Sequence, residues 1–95
     1  MNVFVDIDGT IARTCEDDYM NAEPIEENIK KINSLFDKGF VITYWTARGS
    51  SSGKDWFYIT QRQLNEWGCK YHFLRMGKPS FDMIIDDKAV KISDL

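Results

Sequence analysis

The chain is poor in cysteine, proline and histidine: two, two and one in 95 residues. Cys15 and Cys69 are far apart and form no CxxC pair, which excludes a disulfide-dense scaffold. Cys69 and His72 have ligand-like spacing, but one such pair does not fill a four-ligand zinc site. Long apolar runs are also missing. The N-terminal MNVFVDIDG is interrupted by acids, unlike a signal peptide, and nothing approaches the roughly 18 residues of a membrane span. A cytoplasmic protein without membrane contact is expected. Positive charge is not in excess: twelve Lys and Arg face fifteen Asp and Glu, for a net charge of −3. A general nucleic-acid binder would need the opposite balance, so no nucleic-acid partner is favoured. There are no repeats, linkers or low-complexity tracts, and residues 1–95 leave room for a single domain.

What is present is a globular composition, 43% hydrophobic and 14% aromatic. Asn2 to Val5 reads as a short buried strand ending abruptly at Asp6. Gly9 to Ala22 is polar and turn-rich, a connection. Pro24 opens a helix whose stripe is Ile25, Ile29, Ile32, Leu35 and Phe36, with Gly39 as its stop. Phe40 to Trp45 (FVITYW) is nearly continuous in apolar residues, the pattern of a strand covered on both faces. Asp55 to Trp67 reads as a second helix, with Trp56, Thr60, Leu64 and Trp67 on one face and Gly68 after it. Tyr71 to Leu74 is a further strand, and Phe81 to Ile85 (FDMII) another, ending in Asp86-Asp87. Lys88 to Ile92 is a candidate edge strand. The three tryptophans are expected in the core, and His72 as a structural residue. Alternating strands and helices predict an α/β fold, a three-layer sandwich around a central, mainly parallel sheet.

In open sheets of this kind, ligands bind beyond the carboxyl ends of the strands. That rim would gather Asp6 and Asp8 from the first strand, Thr46 from the second, Asp86 and Asp87 after FDMII, and nearby Lys78. Several carboxylates on one edge repel unless a cation sits among them, and an all-oxygen set favours Mg²⁺. Thr46 and Lys78 offer a neutral donor and a point charge to a phosphate. The backbone N–H groups of Gly9 and Thr10 can turn towards an anion. Alternate strand residues point the same way, so Asp6 can attack phosphorus while Asp8 handles the proton. Arg48 either holds substrate near the rim or makes a surface pair, and Asp82, which opens its strand, reads as a structural or ion-pairing acid.

Four elements stand in order along nearly the whole chain: DIDGT at 6–10, Thr46 after an apolar strand, Lys78 in GKP, and Asp86-Asp87 after MII. In these the sequence resembles the haloacid dehalogenase-like phosphohydrolases. The resemblance implies a Rossmann-like core with Asp6 as nucleophile and Asp8 as general acid and base. It implies Thr46 and Lys78 as phosphate ligands, with Ala47 and Arg48 as further candidates. It also implies Mg²⁺ held by the Asp6 carboxylate, the Asp8 backbone carbonyl and Asp86, with Asp87 bound through water or exchanging roles with Asp86.

Members of that family often carry a cap domain. Residues 11–45 and 47–77 are largely used by core elements, so this chain looks like a capless member. The WTARGS and GKPSFDMIIDDKA stretches look most like short phosphatases of capsule and lipopolysaccharide synthesis, which implies a small sugar or polyol phosphate as substrate. The alternatives are a phosphatase of phosphoproteins or nucleic-acid ends, and a regulatory domain that binds Mg²⁺ and phosphate without turnover. Residues 49–53 and 10–22 are expected at the mouth of the site. With no cap to exclude water, a homo-oligomer is expected to close it.

Overall fold

The computed structural model describes residues 1–95. Three parallel strands form the main sheet: β1 (Asn2–Val5), β4 (Val41–Trp45) and β5 (Phe73–Arg75), in the order β1-β4-β5. Between β1 and β4 the chain makes a small antiparallel pair, β2 (Ala12–Arg13) with β3 (Glu23–Pro24), and then α1 (Glu26–Asp37). Helix α2 (Phe57–Glu66) joins β4 to β5. Short 3₁₀ turns lie at Tyr19–Asn21 and Ile92–Asp94. This is a small Rossmann-like α/β domain, and none of its helices is long and apolar enough to cross a membrane.

Pro24 closes the β2–β3 pair opposite Ala12, and α1 begins two residues later, after Ile25. The predicted helix start is therefore early, because the same φ that suits a first helical turn also suits a short edge strand. At the other end Gly39 has φ +93°, donates to Phe36, and is followed by a Phe40 N–H bond to Leu35. That bond pair satisfies carbonyls the helix would otherwise leave open. Gly68 and Cys69 close α2 on Asn65 and Leu64 in the same way.

The register places Val3 and Val5 of β1 level with Ile42 and Tyr44 of β4, and Tyr44 level with Leu74 of β5. These residues meet Ile29 and Ile32 of α1 and Leu64 of α2 in one core. Both crossovers step across the sheet in the same direction, so right-handed connections put both helices on one face. The opposite face carries Phe4, Trp45 and Phe73, and Phe4 and Phe73 are each about half exposed. FVITYW is apolar on both sides, as its sequence predicts, yet one chain covers only one side of it.

The C-terminal expectations differ most. Phe81 to Ile85 joins no sheet, and residues 79–90 make no backbone–backbone hydrogen bond. Lys88 to Ile92 is not an edge strand either; the Lys88 N–H turns back to Asp86 Oδ1 at 2.6 Å. Hydrophobic periodicity reports what a segment can do beside a partner, not whether a partner is there. The tryptophans are half-buried at its margins rather than central. His72 is structural as expected: its Nδ1 accepts from the Ile42 N–H, and its ring stacks on Phe36.

Two predictions follow from the packing. Leu64 is fully buried, so Leu64→Ala should cost about 2–5 kcal/mol in urea unfolding. The second concerns pH. Burial raises the Tyr44 phenol above its usual value, and the neighbouring Cys69 thiol adds to this; the phenol oxygen itself has no hydrogen-bond partner. Burial likewise pushes the Cys69 thiol from 9.0 up to about 11, partly offset by Tyr44. Below pH 9 the thiol is neutral in both states and has no effect. Above that, the unfolded chain loses the proton first, so stability falls as pH rises from about 9 to about 11. Urea midpoints against pH should show this decline. In Cys69→Ala it should begin nearer 10, the ordinary value of the tyrosine.

Candidate active site

The carboxyl ends of β1 and β4 meet at one rim, and the chain turns sharply after each. After β1, the N–H groups of Thr10, Ile11 and Ala12 all converge on the Ile7 carbonyl, and the Gly9 N–H bonds Ala12. The expected anion-facing N–H groups of Gly9 and Thr10 are thus consumed by the turn itself. What the turn presents instead is side chains. Thr10 Oγ1 donates to Asp6 Oδ2 at 3.1 Å, and Thr14 Oγ1 donates to Asp8 Oδ1 at 2.5 Å. Asn28 of α1 holds the turn from behind through the Thr10 carbonyl.

Asp6 faces Lys78 across most of the chain, with Nζ donating to Oδ1 at 3.2 Å. Lys78 is placed by its own backbone N–H, which bonds the Thr46 carbonyl at 3.1 Å. Its ammonium also lies over the rings of Trp45 and Phe81. Thr46 is buried, and its hydroxyl accepts from the Arg48 N–H. The Ala47 N–H makes no bond within the chain and is a free backbone donor at this rim. The structure therefore brings Asp6, Asp8, Thr46, Ala47 and Lys78 together.

Arg48 has a different place from either one expected. It is only 2% exposed, and its guanidinium forks onto Asp8, Nε to Oδ2 at 2.9 Å and Nη2 to Oδ1 at 2.8 Å. Nη1 donates to Thr60 Oγ1 and Gln63 Oε1 on α2. Gln63 passes the link on to the Tyr19 carbonyl, and the guanidinium lies against the Tyr19 ring. With four of its five N–H donors on protein acceptors, Arg48 orients Asp8 and is not positioned as a phosphate ligand. Thr14, Thr60 and Gln63 are members of this bonded network that sequence reasoning missed. The available signal was two polar residues, Thr60 and Gln63, beside Leu64 on the buried side of α2.

Asp86 and Asp87 are exposed and do not reach this rim, and no three carboxylate, cysteine or histidine groups gather to hold a metal. The reason is the displaced 81–85 segment, which was expected to deliver them. Asp82 is exposed and makes no ion pair. One chain thus offers two carboxylates, each matched by its own cation, rather than a cluster that needs a divalent ion. The expected Mg²⁺ donor set is not assembled within a single chain.

Beside the rim, residues from both loops expected at the mouth line a cleft: Asp17 and Tyr19 from one, Ser51 and Ser52 from the other, with Lys54 and Trp56. Gly49 makes the second loop possible. It has φ +81°, and a Cβ there would sit 2.2 Å from the Lys54 carbonyl oxygen.

No family model and no curated protein matches the chain. Among solved structures, it is similar to the crystal structure of a structural-genomics target from Vibrio cholerae. The TM-score is 0.89 at 27% identity, covering 98% of this chain and 85% of that one.

The Asp8–Arg48 pair gives a direct prediction. Arg48→Ala would leave Asp8, Thr60 and Gln63 short of a partner, and breaking such a pair typically costs about 3–5 kcal/mol. Arg48→Lys should recover little of it, because an ammonium cannot span both carboxylate oxygens. Urea unfolding of both variants measures this.

Proposed function

We propose that this chain is a phosphomonoesterase working through an aspartyl-phosphate on Asp6. The observation that carries the reading is the Asp6–Lys78 contact, which sets a carboxylate beside a cation at an open strand end. A phosphate arriving there meets the Lys78 charge, the free Ala47 N–H and the Thr46 hydroxyl. One Asp6 oxygen attacks phosphorus as the bond to the leaving alcohol breaks, and Asp8 gives that alcohol its proton. Water then attacks the phosphorus of the aspartyl-phosphate. Asp8 takes the water's proton, the bond to Asp6 breaks, and inorganic phosphate leaves. Lys78 offsets charge on the phosphoryl oxygens throughout.

Asp8 must be released from part of its fork to reach the leaving group, so Arg48 sets where it sits between turnovers. Mg²⁺ belongs to this proposal as the ion that would neutralise phosphate charge. Since one chain lacks the third donor, no step above is routed through it. The resemblance to the haloacid dehalogenase-like phosphohydrolases supports the same assignment of Asp6, Asp8, Thr46 and Lys78. A small sugar or polyol phosphate suits the adjoining cleft, where the Tyr19 and Trp56 rings stand among hydroxyl, Asp17 and Lys54 groups. Surface-polysaccharide synthesis is the setting the resemblance supports.

Inorganic phosphate release from a panel of small phosphomonoesters, with and without Mg²⁺, tests the reading. Asp6→Asn should abolish release while leaving the urea midpoint close to wild type. Asp8→Asn should lose roughly 10²–10⁴-fold, the usual worth of general acid–base help. Full release by Asp6→Asn would remove the covalent route. Phosphate binding without release by the wild type would favour the regulatory-domain alternative.

A further inference from the structure

The sheet ends at β1, whose outer edge pairs with no strand. In the same chain, residues 79–90 form no backbone–backbone hydrogen bond. This stretch contains Met83, Ile84 and Ile85, which are 76%, 56% and 91% exposed. An open edge and an unpaired apolar strand sequence are each a liability that proteins normally cover. The two also match. Asn2-Val3-Phe4-Val5-Asp6 and Asp82-Met83-Ile84-Ile85-Asp86 share one pattern, a polar residue, three apolar ones and an aspartate. The other open edge, β5, is three residues long and carries Arg75, a charge that blunts pairing.

The surface area gives the scale. A compact monomer of 11.1 kDa exposes about 5,700 Å² by the usual size scaling, whereas this chain exposes 6580 Å². The surplus, about 900 Å², is close to the roughly 800 Å² that each partner buries in a standard interface. The segment is anchored on its own chain at both ends, yet makes no ladder with its own β1. Lys78 N–H bonds Thr46 on one side, and on the other Lys31 Nζ bonds the Ile92 carbonyl, with Ile92 packed on the core. The match to the Vibrio cholerae structure spans 98% of this chain, so the segment lies largely inside the superposed region.

We propose that the chain forms a symmetric dimer by strand exchange. Residues 82–85 of one copy pair in parallel with the outer edge of β1 of the second, and reciprocally, so that each contact occurs twice. In register, Asp86 of one copy comes level with Asp6 of the other, and each rim gains from its neighbour the carboxylate that one chain does not bring. The part played by Asp86 rests on the phosphomonoesterase reading; the exchange itself does not.

The test is a disulfide trap in a Cys15→Ser, Cys69→Ala background. Phe4→Cys and Ile84→Cys, both at exposed positions, are combined in one chain and oxidised. Strand exchange gives a covalent dimer of about twice the chain mass on a non-reducing gel. A cross-linked monomer would mean that the segment folds back on its own β1, and no cross-link would mean that it does not pair there; either result overturns the proposal. Sedimentation of the untreated protein gives an independent reading. Wild type should be dimeric, and Ile84→Pro, which removes a ladder N–H, should be monomeric with its helical far-ultraviolet signal retained. A monomeric wild type overturns the exchange. Because none of these readouts uses turnover, a failed substrate screen with a trapped dimer would count against the proposed activity alone.

Discussion

The fork between Arg48 and Asp8 is the contact on which the rest of the site depends. Asp8 belongs to the turn after β1, Arg48 to the loop after β4, and the remaining guanidinium bonds go to Thr60 and Gln63 of α2. Gln63 extends the link to Tyr19 in the connection before β3. Four separate pieces of the chain are thus tied to one planar cation. A guanidinium suits this place because it stays charged when buried and offers its donors in a fixed plane. Burying it alone would be costly, so its satisfied partners are also the condition for its being there.

Much of the fold was legible in the sequence because local patterns and local needs coincide there. The β1 and β4 runs, both helices and the Gly39 and Gly68 stops are set by short-range physics: apolar spacing, helix ends and the freedom of glycine. The placement of Asp6, Thr46 and Lys78 on one rim followed from the parallel topology alone. The role of Arg48 was not legible, because nothing in WTARGS distinguishes an arginine that reaches solvent from one that turns inwards. That choice is made by Thr60 and Gln63, which only the packing of α2 brings near. The strand expected at 81–85 depended on a partner edge, and no pattern within five residues contains that information.

Size explains why the sheet is left open. A chain this short has two helices to spend on its sheet, and right-handed crossovers put both on the same side. The residues of FVITYW nevertheless alternate between two apolar faces. Phe4 and Trp45 pack edge to face with each other on the second side, and Lys78 lies against Trp45 from above. The catalytic lysine candidate therefore rests on the least covered part of the domain. Whatever covers that side also restricts Lys78, so assembly and phosphate binding would be coupled through Trp45 and Phe81.

Asp6 and Asp8 are two residues apart on the same strand end, yet their surroundings differ in kind. Asp6 is paired with a flexible lysine and is the more exposed of the two; Asp8 is gripped on both oxygens by a buried arginine. A nucleophile benefits from the first arrangement, since a point charge on a long stem can move from the carboxylate to an incoming phosphate without leaving the site. A residue that is to give and then recover one proton has to leave part of such a fork first, and what the fork supplies is a single position to return to between transfers. The fork costs Asp8 freedom, and under the proposed reaction Asp8 would have to meet a leaving oxygen and then a water from the position to which the fork returns it. In the proposed reaction the unequal pairing would divide labour between two chemically identical groups, with Lys78 moving to the phosphate and Arg48 setting the position to which Asp8 returns.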